Sequence, residues 1–176
     1  YIVEMRINLH SGPGSGKSTI AARIFYEFKV KGYSIELVHE YIKKWAYEDR
    51  KPKSYDQTYI FGKQTHSEDL VIQSGVKNLV TDSPLLMQVC YAKRYEYPLW
   101  HTHLEQAQNF NEKNPSLNIF LDRTGLEYQE AGRYEDHSQA IWMDGQIVEF
   151  MDEHIKDYLT FRTTDIDGIL SAVEEK

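Results

Sequence analysis

Residues 11–19 are Ser11-Gly12-Pro13-Gly14-Ser15-Gly16-Lys17-Ser18-Thr19, and they separate a predicted strand at 2–9 from a helix predicted to begin near Lys17. A strand, a glycine-rich loop and a helix in this order are typical of a loop that binds phosphate groups. The glycines allow backbone N–H groups to converge on phosphate oxygens, and the helix N-terminus adds its positive end. We therefore expect residues 12–19 to hold a nucleoside triphosphate, with Lys17 at the β- and γ-phosphates and the Ser18 hydroxyl on Mg²⁺.

One position of this segment, called the phosphate loop below, departs from the usual pattern. That pattern has glycine six residues before the lysine, whereas this chain has Ser11. We expect the neighbouring Gly12 to adopt any positive φ that the loop requires there. The alternative is a glycine-rich turn that binds no ligand.

The composition restricts the class of protein. A length of 176 residues suits one domain, 1–176, and the 41% hydrophobic and 27% charged residues are typical of soluble globular proteins. The net charge of −7 disfavours a broad, nonspecific nucleic-acid binder but leaves room for a local basic face. Cys90 is the only cysteine, which excludes an intrachain disulfide and a cysteine-based zinc site. We expect no membrane partner and a cytoplasmic location, because neither a membrane-spanning apolar run nor a signal-peptide pattern is found.

Short apolar segments alternate with helical patterns along the rest of the chain. Four further strands are predicted at 34–39, 77–81, 117–121 and 158–161. This alternation predicts an α/β fold with a five-stranded parallel sheet and helices on both faces. In such sheets the functional crevice lies beyond the carboxyl ends of the strands.

Charged residues follow three of these strands directly. Glu40 follows the second strand, Asp82 the third, and Asp122 with Arg123 the fourth. Carboxylates and an arginine beside a phosphate loop are the groups that phosphoryl transfer requires. Asp82 is expected to hold Mg²⁺, the alternative being a helix N-cap ahead of Pro84. Glu40 could accept or orient the proton of an attacking hydroxyl, or it could be an exposed acid in the first turn of a helix.

Residues 123–136 form a polar segment between a strand and a helix. Gly125 and Gly132 mark its flexible points, and it carries Arg123 and Arg133. We predict that the segment is a mobile lid that brings both arginines to the triphosphate. The alternative is that both are solvated surface residues.

Basic and aromatic residues are mixed between 41 and 64, and again at 93–97. Such a mixture could stack a base and hold phosphates, whereas the alternative is a pair of amphipathic helices with solvated lysines. The residues that we expect to contact the acceptor are Tyr41, Lys44, Trp45, Gln57, Gln64 and Arg94.

The chain resembles small phosphate-loop kinases of the nucleoside and nucleotide kinase group, including the ribosylnicotinamide-kinase-like branch. It is most similar to the short kinase-like ATPases that are common in bacteriophage genomes. The resemblance spans about residues 5–165 and depends on the phosphate loop, Glu40-Tyr41, Asp56-Gln57, Lys63-Gln64, the stretch 81–85 and Gly132-Arg133.

This resemblance implies a three-layer fold with strand order 2-3-1-4-5 and the use of ATP and Mg²⁺. It also implies that Glu40 lies by the acceptor as base or orienting acid, that Asp82 lies near the metal, and that a lid surrounds 123–133. A loop that contacts adenine would fall near 163–167. The chain departs from the family pattern at Ser11 and in a lid that is poorer in arginine.

The acceptor is less well defined by the resemblance. Some phage enzymes of this type phosphorylate 5-hydroxymethyluracil within DNA, and others phosphorylate free nucleotides or nucleosides. We expect a kinase acting on a hydroxyl of a nucleotide-type acceptor and favour the hydroxymethyl base in DNA, in the host cytoplasm if the protein is phage-encoded. The alternatives are a kinase of nucleosides, nucleoside monophosphates or nicotinamide riboside, and an NTPase switch without an acceptor. The sequence does not indicate an oligomeric state.

Overall fold

A computed structural model describes residues 4–53, 55–129 and 135–176. In chain order the elements are β1 (Met5–His10), α1 (Lys17–Val30), β2 (Ile35–Val38), α2 (Lys43–Tyr47), α3 (Asp56–Gln73), β3 (Asn78–Thr81), α4 (Leu85–Arg94), α5 (Trp100–Lys113), β4 (Ser116–Asp122), α6 (His137–His154), β5 (Leu159–Arg162) and α7 (Ile166–Glu174).

The five strands form one parallel sheet in the order β2-β3-β1-β4-β5. The predicted α/β class and the strand order implied by the resemblance are both confirmed. The register aligns Ile7 of β1 with Val80 of β3 and Leu117 of β4, so β1 is the central strand. Because all strands point the same way, the ends of β1, β2 and β3 deliver the phosphate loop, Glu40 and Asp82 to one edge.

Two apolar clusters lie on opposite faces of the sheet. One joins Ile7 and Leu9 of β1 to α1 and α7, with Ile24 and Ile169 fully buried between them. The other joins α4, α5 and α6 to Phe120 of β4. The sheet is therefore the middle of three layers, and both helical layers fix the orientation of the strand ends.

The second face of β1 is polar although it is buried. Arg6 donates to Glu68 Oε2 at 2.7 Å, to Asn111 Oδ1 at 2.9 Å and to the Asn114 carbonyl at 2.9 Å. Arg6 and Glu68 have no exposed side-chain surface, and burial raises the pKa of Glu68 although the Arg6 charge opposes the rise. This ion pair joins β1 to α3 beneath the sheet.

A second polar group continues this face toward the phosphate loop. Asn118 Oδ1 on β4 accepts from Asn8 Nδ2 at 3.0 Å and lies 3.1 Å from His10 Nε2. Asn8 Oδ1 and His10 Nδ1 are buried without a hydrogen-bond partner in the part of the chain that the structure describes. A proton on His10 would therefore place a charge in this buried face.

Among the described residues, no helix is both long enough and apolar enough to span a membrane.

Candidate functional site

The phosphate loop connects β1 to α1 and contains two residues in the left-handed region. Gly14 has φ 71° and Gly16 has φ 86°, whereas Gly12 does not have a positive φ. The expectation that Gly12 supplies the positive φ is therefore wrong, because the loop changes direction at its centre and at the N-cap of α1. Both positions favour glycine because a Cβ is strained at such φ values.

Gly12 is required for a different reason, which is close packing against α6. A Cβ on Gly12 would lie 2.7 Å from Asp144 Oδ1 and 2.8 Å from the Ala140 carbonyl oxygen. Ser11 beside it is fully buried, and its single O–H lies within hydrogen-bond distance of two acceptors, the Leu121 carbonyl at 2.8 Å and Asp144 Oδ1 at 3.1 Å. Serine is therefore accommodated in place of the usual glycine because its hydroxyl has two acceptors.

Side chains from two other segments enclose the centre of the loop. A Cβ on Gly14 would meet the Tyr128 ring at 2.5 Å, and one on Gly16 would meet Thr163 Cγ2 at 2.7 Å. Thr163 also donates from Oγ1 to the Ser15 carbonyl at 2.8 Å. The turn after β5, where the resemblance places the adenine contact, thus begins against the phosphate loop.

Two lysine side chains have their ammonium groups at the loop. Lys17 Nζ donates to the carbonyls of Ser11 at 2.8 Å and Gly12 at 2.7 Å, which holds the ammonium group across the loop. Lys43, in the first turn of α2, has its Nζ 3.4 Å from Ser18 Oγ. The positive end of α1 and two ammonium groups therefore surround the place where phosphate oxygens would bind.

A cavity of about 170 Å³ extends from the loop toward α2, α3 and α4. Its walls combine the loop with carboxylates, amides, phenols and apolar groups. They are residues 13–19, Glu40, Ile42, Lys43, Ala46, Pro52, Gln57, Ile60, Asp82, Met87, Gln88, Tyr91, Tyr95 and Glu135.

Glu40 and Asp82 meet at this cavity. Asp82 is 2% exposed, and its Oδ1 accepts the backbone N–H of Glu40 at 2.8 Å. The N-cap of α4 is Pro84, and no side chain caps this helix, so the alternative role of Asp82 as its cap is not observed. Asp82 and the Ser18 hydroxyl supply the oxygen atoms that Mg²⁺ prefers. No group of three acidic, histidine or cysteine residues in the described ranges could hold a metal ion alone, so these two residues fit a metal that is also held by phosphate oxygens.

Residues 6–167 match the family model described as AAA domain. The chain belongs to this AAA domain family. The family indicates nucleotide binding, with ATP and usually Mg²⁺ as ligands, and an ATPase or kinase activity.

The solved structures agree with this assignment at the level of the fold. The structure titled "Crystal structure of APE1195" is 17% identical, covers 99% of this chain and 96% of its own, and superposes with a TM-score of 0.52. At this identity the likeness shows the fold alone. No curated protein sequence matches the chain.

Only one of the predicted acceptor residues lies in the cavity wall of the AAA domain. Gln57 lines the cavity, whereas Tyr41, Lys44 and Trp45 do not. Tyr41 and Trp45 instead pack with Tyr59, at ring-centroid distances of 5.6 and 6.3 Å from it. In α2 it is Lys43, one residue earlier than the predicted Lys44, that faces the loop.

The other two predicted acceptor residues have partners in the protein. Gln64 is fully buried, accepts the Tyr41 backbone N–H at 3.2 Å and lies 3.5 Å from Thr81 Oγ1, so it joins the ends of β2 and β3. Arg94 donates to Glu135 Oε1 at 3.1 Å. Arg94 does not line the cavity itself, but its partner Glu135 does.

The predicted lid arginines are described only in part. Arg123 lies under the phosphate loop, where its Nη1 donates to the Pro13 carbonyl at 2.9 Å and its Nη2 to Asp144 Oδ1 at 2.9 Å. Arg123 Nε also donates to Asp144 Oδ2. Arg133 and Gly132 lie outside the described residues. A direct contact between either arginine and a phosphate stays a prediction.

Sequence reasoning missed several residues of this wall, notably Gln88 and Tyr91 on α4. They are three residues apart in the helix that follows Asp82, and this spacing on one helix face was the signal that could have found them. Burial, together with the negative charges of Glu135 and Glu40, raises the pKa of the Tyr91 phenol well above its ordinary value. Tyr91 therefore offers a neutral O–H group to the cavity.

Proposed function

We propose that this AAA domain is an ATP- and Mg²⁺-dependent kinase that transfers the γ-phosphate to a hydroxyl group of a nucleotide-type acceptor. The observation that carries the proposal is a single cavity with the phosphate loop at one end and an amide- and phenol-lined wall at the other. Glu40 and Asp82 line the space between the two ends. An enzyme that only hydrolyses ATP uses water as the nucleophile, so it does not need the second, partly apolar end of the cavity.

At the phosphate end, the proposed roles follow from the contacts of the loop. Lys17 and the N–H groups at the start of α1 bind the β- and γ-phosphates, and Lys43 adds a second positive charge beside Ser18. Ser18 and Asp82 hold Mg²⁺, which would neutralise charge on the phosphate oxygens when bound. Positive groups that are already in place stabilise the negative charge that develops on the phosphoryl group in the transition state.

Between the two ends, Glu40 is proposed to orient the acceptor hydroxyl or to accept its proton. Its backbone is fixed by the 2.8 Å bond to Asp82, so the base and the proposed metal ligand are held together. A positioned carboxylate contributes about 10²- to 10⁴-fold to such a reaction.

At the acceptor end, Gln57, Gln88 and Tyr91 are proposed to bind a flat heterocycle. Gln88 Nε2 donates to Ser83 Oγ. The side-chain carbonyl oxygen of Gln88 and the side-chain amide group of Gln57 have no hydrogen-bond partner among the described residues. Apolar groups of the wall lie beside these polar atoms. Donors and acceptors in an apolar slot are what the edge of a nucleobase requires.

The leading acceptor is 5-hydroxymethyluracil in DNA, and free nucleosides, nucleoside monophosphates and nicotinamide riboside are its alternatives. Support for DNA comes from the rim, where Pro52 lines the cavity between the exposed Lys51 and Lys53. These lysines suit phosphates that flank a base. A base in duplex DNA would leave the stack to reach the cavity.

The lid and the single-domain organisation over 1–176 are part of the same proposal. Within the described part of residues 123–136, the Tyr128 ring lies against Gly14 of the loop, and its hydroxyl donates to the Glu135 carbonyl at 2.5 Å. We propose that this segment covers the triphosphate and that Arg133 contacts it.

The experiment that tests the proposed function is an acceptor screen with γ-labelled ATP. It includes duplex and single-stranded DNA with and without 5-hydroxymethyluracil, nucleosides, nucleoside monophosphates and nicotinamide riboside. We expect label on the modified DNA, with transfer that falls as salt rises. Label on free nucleosides or nucleotides only would refute the DNA acceptor, and hydrolysis of ATP with no labelled acceptor would refute the kinase.

The role of Glu40 is tested with Glu40→Gln, which keeps the shape of the side chain and removes its charge. We expect kcat to fall by about 100-fold or more while the Kd for ATP changes little. Glu36→Gln is the matched control, because Glu36 lies on the same segment but pairs with Lys29 at 2.8 Å outside the cavity. Transfer by Glu40→Gln at the rate of the control would contradict the assignment.

A further inference from the structure

A carboxylate from α6 lies directly beneath the phosphate loop. Asp144 Oδ1 accepts the backbone N–H of Gly12 at 2.6 Å and the Ser11 hydroxyl at 3.1 Å. The Asp144 side chain is 16% exposed, and α6 approaches the loop closely enough that only glycine fits at residue 12. One carboxylate therefore fixes the first two residues of the loop against α6.

A negative charge at this place opposes nucleotide binding unless it is compensated. The loop binds a triphosphate through the N–H groups that follow Gly12, so the Asp144 charge lies close to the phosphates. Arg123 supplies the compensation, because Nε and Nη2 contact the two carboxylate oxygens and the side chain is only 11% exposed. A bidentate pair of this kind also fixes the orientation of the carboxylate.

Arg123 contacts the loop itself as well. Its Nη1 donates to the Pro13 carbonyl at 2.9 Å, and Nη2 lies 3.4 Å from the Ala140 carbonyl of α6. Four donor–acceptor contacts of the guanidinium group therefore go to protein oxygens, namely two to Asp144 and one each to Pro13 and Ala140. The guanidinium group is held by the loop, by α6 and by Asp144 at the same time.

We propose that Asp144 and Arg123 are a positioning pair for the phosphate loop. Asp144 fixes the start of the loop through the Gly12 N–H, and Arg123 orients that carboxylate and cancels its charge toward the triphosphate. Arg123 thereby supports nucleotide binding from below, without touching a phosphate. The inference rests on the proposed binding of ATP, and it does not depend on the transfer step or on the acceptor.

The test measures the Kd for ATP with Mg²⁺ by calorimetry for a set of variants. Arg123→Ala leaves the Asp144 carboxylate uncompensated, so we expect ATP binding to weaken by about 30-fold. The double variant Asp144→Asn with Arg123→Ala keeps an amide oxygen for the Gly12 N–H and removes the charge that needed compensation. We expect its Kd to return to within about fivefold of the wild-type value.

The third variant separates position from charge. Asp144→Ala removes the acceptor of the Gly12 N–H, and we expect ATP binding to weaken by about tenfold. The matched control is Asp152→Asn on the same helix, where the carboxylate accepts from Tyr158 and is exposed. Its Kd should equal that of the wild type.

Rescue in the double variant decides between the two roles of Arg123. If Arg123 contacts a phosphate, the double variant stays as weak as Arg123→Ala, and the inference is overturned. Equal Kd values in all variants overturn it as well, since a purely structural pair would change only the melting temperature. If Arg123→Ala does not fold, Arg123→Gln replaces it in both arms, because glutamine keeps an N–H donor and removes the positive charge.

The inference and the proposed function fail in different ways. A wild-type protein that binds ATP with the expected pattern of variants but labels no acceptor refutes the kinase and supports the pair. A wild-type protein that binds no ATP refutes both.

Discussion

Acidification from pH 7 to pH 5 should remove the contribution that the buried side chain of His10 makes to the stability of the AAA domain. The ring lies at the end of β1 with 1% of its surface exposed. Burial lowers the pKa of His10 from 6.5 to about 4, and the positive charges of Lys17 and Arg6 act in the same direction. The hydrogen bond to Asn118 opposes the shift but does not outweigh burial. Between pH 6.5 and about pH 4, His10 is therefore mostly neutral in the folded protein and mostly charged in the unfolded chain.

The size of the effect follows from the two pKa values of His10. Above pH 6.5 the imidazole is neutral in both states and makes no pH-dependent contribution. Below pH 6.5 the unfolded chain binds a proton that the folded protein does not, so the stability falls until the pH reaches about 4. The full loss corresponds to about 3 kcal/mol, of which about 2 kcal/mol is expected between pH 7 and pH 5.

Urea unfolding at pH 7, 6 and 5 measures this loss, with His10→Gln as the reference variant. Glutamine keeps a donor near the position of Nε2 and does not titrate. Glu68 has a raised pKa and His103 a lowered one, and both contribute to the pH dependence of each protein. The difference between the two proteins isolates His10, and it should change by about 2 kcal/mol from pH 7 to pH 5. Parallel pH profiles would refute the reasoning.

Three further changes have expected outcomes. Gly12→Ala should weaken ATP binding at least tenfold, because the new Cβ would lie 2.8 Å from a backbone oxygen of α6, and calorimetry would show it. Lys43→Met should raise the Kd for ATP about fivefold with no change in melting temperature, since its ammonium group lies 3.4 Å from Ser18 Oγ, and an unchanged Kd would contradict its role. Glu68→Ala should lower the free energy of unfolding, measured in urea, by about 3–5 kcal/mol, because the buried Arg6 charge loses its partner carboxylate. A loss under about 1 kcal/mol would show that water replaces the carboxylate.

The sheet and the phosphate loop could be predicted because their signals are local. Alternation of apolar segments with helical patterns, together with the loop at 11–19, indicates parallel strands and right-handed connections. The strand order required a family resemblance in addition, because adjacency in a parallel sheet does not follow from the order in the chain. Glu40 and Asp82 were found because each directly follows a strand.

The remaining parts of the site depend on contacts between distant segments. Asp144 lies 132 residues after Gly12 in the chain, and nothing in the sequence around it marks a contact with the loop. Lys43 and Lys44 are adjacent in a basic run, and only the rotation of α2 determines which one faces Ser18. Gln64 was predicted to bind the acceptor because it lies in the basic and aromatic segment 41–64. In the structure it is buried and connects the ends of β2 and β3 through hydrogen bonds. Residue type alone cannot separate these cases.

Ser11, which departs from the pattern of the kinases that the chain resembles, has a structural explanation in Asp144. The Ser11 hydroxyl is accommodated because it can donate to the carboxylate, and the carboxylate is tolerated beneath an anion-binding loop because Arg123 pairs with it. In the proposed pair, Arg123 acts from under the loop and does not reach over it. The positive charge on the upper side must then come from other residues. Among the described residues, Lys17 and Lys43 have ammonium groups at the loop, so we propose that Lys43 adds to the charge of Lys17 where the lid has fewer arginines.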